Sequence, residues 1–99
     1  MKYKIRNRNK QSIMNMNDEI IKKLQELGFS DYPYSAQGAV RGFIYDSDIV
    51  ELRDGNHWVY YEYVGFNSTT MTGVYSVHSF ETVGELMELI KKFHSNLIK

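Results

Sequence analysis

Apolar residues recur along the chain with two different periods, and the switches between them mark out its elements. Met16, Ile20, Leu24 and Leu27 follow one another at intervals of four, four and three, with Ile21 beside them. That spacing lays one apolar stripe along a helix. Asn15 or Asn17 is placed to cap its start, and Asp18 and Glu19 suit the positive end of its dipole. Gly28 followed by Phe29 predicts a Schellman ending, with the glycine left-handed and the apolar residue folding back. A second helical stripe runs through Val83, Leu86, Met87, Ile90, Phe93 and Leu97. It opens with the capping box Thr82-x-x-Glu85 and carries Lys91, Lys92 and His94 toward its C-terminal half.

Between the two helices the period drops to two. Val40–Tyr45, Asp48–Arg53, His57–Val64 and Thr70–His78 read as strands, rich in Val, Ile, Tyr and Thr. Asp46-Ser47, Asp54-Gly55 and Asn67-Ser68 separate them. Each link is far shorter than the dozen or more residues a parallel crossover requires, so the sheet is expected to be an antiparallel meander. Residues 29–39, with Pro33 and Gly38, read as a loop. At the start of the chain, Tyr3 and Ile5 alternate with Lys2, Lys4 and Arg6, the pattern of a short edge strand or a charged arm. The expected fold is α+β: a meander of three to four strands, with an N-terminal edge strand as an option, and an N-terminal and a C-terminal helix on one face.

Composition narrows the reading further. With 99 residues and 42% hydrophobic content the chain has material for one modest core. Residues 13–99 are assigned to that single domain and 1–12 to the arm or edge strand. No uncharged apolar run approaches the 18 residues of a membrane span, and MKYKIRNRNK has no apolar region behind its basic start. Without cysteine there is no disulfide framework, thiolate metal site or thiol nucleophile. A cytoplasmic location is therefore expected.

Formal charge is balanced, twelve basic against twelve acidic residues, but it is unevenly spread. Lys2, Lys4, Arg6, Arg8 and Lys10 stand without an acid in 1–12, while 31–65 holds six acids against two bases. The basic arm with its interleaved Asn and Tyr could contact phosphates. The element order resembles that of the double-stranded-RNA-binding domain. That family, however, grips phosphates with lysines at the start of its last helix, where this chain has Glu81-Thr82-Val83-Gly84-Glu85. The resemblance is one of topology and implies no function here.

Candidate chemistry is sparse. No serine sits in a G-x-S-x-G elbow, and P-loop, G-x-G-x-x-G and H-E-x-x-H patterns are absent. No enzyme activity and no cofactor are expected. A turn centred on Asn67-Ser68 would oppose His57 and His78, a weak candidate metal pair lacking further ligands.

The strand HWVYYEYV is the unusual segment. One pleat face carries Trp58, Tyr60, Glu62 and Val64 and the other His57, Val59, Tyr61 and Tyr63, so both are largely aromatic or apolar. With helices on one side only, either the other face is covered as well or its aromatics stand exposed as a contact surface. Glu62 marks its own face as the outward one, because a buried unpaired carboxylate is costly. The expected interaction residues are therefore Trp58, Tyr60 and Glu62, with Tyr32 and Tyr34 on the proline-stiffened loop. Asp46, Asp48, Glu51 and Asp54 form the expected acidic rim that steers a basic partner.

These features point to a small cytosolic protein-binding module, an inhibitor or adaptor that occludes a host or cognate protein such as a defence nuclease. A Lys-, Asn- and Ile-rich composition suggests an AT-rich genome, such as that of a low-GC bacterium or its phage, and the inhibitor or adaptor is expected to be encoded by a phage or mobile element. Two alternatives stand beside it. One is a nucleic-acid-binding protein using the basic arm and sheet tyrosines; the other is a structural homo-oligomer, such as a homodimer. No membrane partner is expected.

Overall fold

The computed structural model describes residues 16–33, 38–54 and 56–98. Helix α1 covers residues 16–27, and the strands are β1 Ser30–Asp31, β2 Ala39–Tyr45, β3 Asp48–Arg53, β4 His57–Asn67 and β5 Thr72–Phe80. Helix α2, Val83–Phe93, and a single 3₁₀ turn at Ser95–Leu97 close the chain. The five strands pair in sequence order, all antiparallel, and both helices pack on one face. The fold is α+β, as the periodicity implies, with one strand more than expected. That strand, β1, lies in the segment read as a loop. Its Ser-Asp sequence has no strand preference, and backbone pairing with Phe43 and Ile44 holds it in place.

Local chemistry fixes the helix ends. Gly28 has φ 104°, its N–H reaches the Gln25 carbonyl, and the Phe29 N–H reaches that of Leu24, the two bonds of a Schellman motif. At α2, the Thr82 hydroxyl accepts from the Glu85 N–H at 3.1 Å and the Glu85 carboxylate accepts from the Thr82 N–H. Asn17 is not a cap: it lies inside α1, and Asn15 falls outside the described residues.

The core lies between this helix pair and one pleat face. Ile20 and Leu24 of α1 and Leu86 and Ile90 of α2 cover Phe43, Val50, Leu52, Trp58, Tyr60 and Phe80. Phe43, Trp58 and Phe80 stack as a row across the sheet, 6.5 and 5.8 Å between ring centroids. This corrects the expected orientation of β4. Trp58 is 1% exposed and Tyr60 not at all, so their face is the buried one. Glu62 misled because it lies where cover ends: β3 accompanies β4 only as far as Tyr61, and Glu62 is half-buried beside His78.

Two turns differ from the simplest reading. Arg53 pairs with His57, so the β3–β4 loop has three residues, and Asn56 takes the left-handed conformation at φ 60°. The β4–β5 pairs sum to 138 near the body of the sheet, Tyr60 opposing His78, because the turn has four residues and a bulge falls between Tyr63 and Gly65. His57 and His78 therefore lie on opposite faces. The candidate metal pair does not form, and among the described residues no group of three metal-capable side chains converges.

Candidate interaction surface

Beyond Tyr61 the sheet narrows to two strands. Residues 63–67 of β4 pair only with 72–75 of β5, making a ribbon that extends past β3. Its stalk is fastened by Asp48, the first residue of β3 and 5% exposed. Asp48 Oδ1 accepts the Tyr63 N–H at 2.8 Å, taking the place of the ladder partner that β3 no longer supplies. Oδ2 accepts from the Tyr60 hydroxyl at 2.6 Å and from His94 Nε2–H at 2.7 Å. Burial, followed by the bond to Asp48, pushes the Tyr60 phenol far above its ordinary pKa. One carboxylate thus ties β3, the root of the ribbon and the end of α2 together.

The ribbon carries an unusual sequence. Between Tyr63 and Phe80 there is no Lys, Arg, Asp or Glu. Nine large hydrophobic residues are exposed among those described, and seven lie within 63–77: Tyr63, Val64, Phe66, Met71, Val74, Tyr75 and Val77. Gly73 lets two rings approach: a Cβ there would lie 3.0 Å from the Tyr75 ring and 3.3 Å from that of Tyr63. Tyr75 meets Tyr63 edge-on at 5.5 Å and Tyr61 at 6.4 Å. Its phenol is raised in pKa, first by burial and then by the neighbouring Tyr32 and Tyr63 phenols. These tyrosines share the pleat face that the helices leave uncovered. Tyr32, half-buried and held by its N–H to the Gly42 carbonyl, joins the same electrostatic neighbourhood.

No family model, curated protein or solved structure matches the chain. The reading of the surface rests on its own chemistry.

The expected acidic rim is reduced to its turn positions. Asp48 is consumed by its three donors, and Glu51, 4% exposed, is held by Arg53 Nη1 at 2.7 Å. Asp46 and Asp54 stand exposed, Asp46 with φ 57° in the two-residue β2–β3 turn. Tyr34 and the basic residues of 1–12 lie outside the described residues. Sequence reasoning placed Tyr61 and Tyr63 on the face opposite Trp58 but chose the wrong face as outward. It missed Phe66, Tyr75 and Val77. The signal that would have found them was present as the eighteen-residue gap in charge.

Proposed function

We propose that the chain is a non-catalytic protein-binding module that works by laying its uncharged ribbon and tyrosine-lined face against a partner. The observation that carries this is the concentration of exposed apolar side chains in 63–77. Contiguous exposed apolar area on a small domain marks a contact surface, since keeping it in water costs about 25 cal/mol per Å². Tyr and Phe suit such a role: they bring large area with few rotatable bonds. An occluding inhibitor or adaptor needs no more machinery than this.

The test compares wild-type protein with the double variant Phe66→Ser/Val77→Ser as bait for cell extract. Both side chains are more than half exposed, so the variant is expected to keep its melting temperature within about 2 °C, in keeping with the small cost of surface changes. A saturable partner retained by wild type and lost by the variant supports the reading. Equal capture by both removes the ribbon from the interface.

A further inference from the structure

We propose that the free edge of β5 pairs antiparallel with β5 of a second copy of this chain, about a two-fold axis at Ser76. This joins two five-stranded sheets into one of ten strands.

In the described sheet β5 has one neighbour, β4, and its other edge is unpaired over nine residues, about 30 Å of strand. Folded proteins normally guard such an edge with lysine, proline, inward-pointing charge or a very short strand. β5 has none of these: its sequence is TGVYSVHSF, and the bulge of the ribbon lies on β4. A partner strand must match an edge that offers no charge. The chain's own β5 does so, and a molecule with twelve acids and twelve bases is not repelled by its copy.

The register follows from pleat geometry. Outward-facing backbone groups alternate along β5, so two copies can pair only through residues of the same parity. With the axis at Ser76, Tyr75 of each copy faces Val77 of the other on the uncovered face, and the two Ser76 hydroxyls meet on the helix side. Aromatic against β-branched is a favourable cross-strand pairing, and this arrangement makes it twice. The uncovered tyrosine faces then run on as one surface across the axis, so a dimer presents the proposed contact surface in duplicate. The edge pairing goes beyond that reading, because it engages backbone that the face leaves free.

The absence of cysteine from the chain supplies a register-specific test. In Ser76→Cys the two new side chains would face each other across the axis at a Cα separation of about 4.5–5.5 Å, within disulfide range. Thr69→Cys, in the exposed β4–β5 turn, is the control. The expected result is a dimer mass in analytical ultracentrifugation, rapid oxidation of Ser76→Cys to a covalent dimer, and little for Thr69→Cys. Val77→Lys, which brings two cations near the axis, should weaken dimerisation about tenfold while leaving the circular dichroism spectrum unchanged. A monomer at every concentration tested overturns the proposal, as does a dimer in which the two cysteine variants cross-link equally. If the protein is monomeric yet Phe66→Ser/Val77→Ser still loses its partner, the dimer fails and the protein-binding reading stands. If capture is also unchanged, both fail.

Discussion

Replacing Asp48 by alanine removes the acceptor for three donors at once. The cost can be built up from their surroundings. The Tyr60 hydroxyl belongs to a fully buried residue and donates to Asp48 Oδ2 at 2.6 Å. Stranding such a donor costs about 1–3 kcal/mol. The Tyr63 N–H and the His94 ring lie in partly exposed surroundings, and water can take over part of each bond. Each of these losses is then about 0.5–1 kcal/mol, in the lower part of the net range for a hydrogen bond that solvent can partly replace. The expected total is about 2–5 kcal/mol, against a stability of roughly 5–15 kcal/mol for a chain of this size. That corresponds to a melting temperature lower by about 8–40 °C. Urea denaturation followed by circular dichroism measures it. Tyr60→Phe should cost only about 1 kcal/mol, since Asp48 keeps two donors, and the double variant should be less destabilised than the two singles combined. A change below 0.5 kcal/mol for Asp48→Ala would refute the view that this carboxylate fastens the ribbon to the domain.

Other consequences follow from the same contacts. Trp58→Ala should lose about 3–5 kcal/mol and threaten the fold, because Trp58 is core; thermal melting would show it. Asn17→Ala should cost about 1–2 kcal/mol, since Asn17 Oδ1 accepts from the buried Trp58 indole at 3.0 Å, and the indole would be left without that acceptor. At alkaline pH the folded state holds its protons on Tyr60, Tyr61 and Tyr75 longer than the unfolded chain does. Stability is therefore whole below the unfolded tyrosine pKa of about 10 and falls as pH rises above it. Tyrosinate absorbance should show Tyr60 ionising only with unfolding, and a free titration of every tyrosine in the folded protein would contradict this.

Much of the architecture was legible because local signals and tertiary demands agree. The stripe ending at Gly28-Phe29 and the box at Thr82 and Glu85 each state a helix and its end within a few residues. The short links force antiparallel pairing. What could not be read was long-range. Strand β1 exists because Gly42 and its neighbours offer backbone partners, not because Ser30 and Asp31 favour extension. Alternation along β4 shows that Trp58 and Tyr60 share a face, but which face is covered depends on where β3 stops and on Asn17, forty-one residues away, meeting the indole. The histidine pairing failed on a bulge and a longer turn. A register slip of odd length sends a side chain to the other face.

The central claim is that the uncharged ribbon, and not the helix layer, is where this protein meets its partner. A photo-cross-linking amino acid installed at Phe66, and separately at exposed Lys22 on α1, tests it directly. Irradiation in cells should give discrete protein adducts from position 66 and only background from position 22. Adducts from position 22 alone, or adducts to nucleic acid from position 66, would contradict the account.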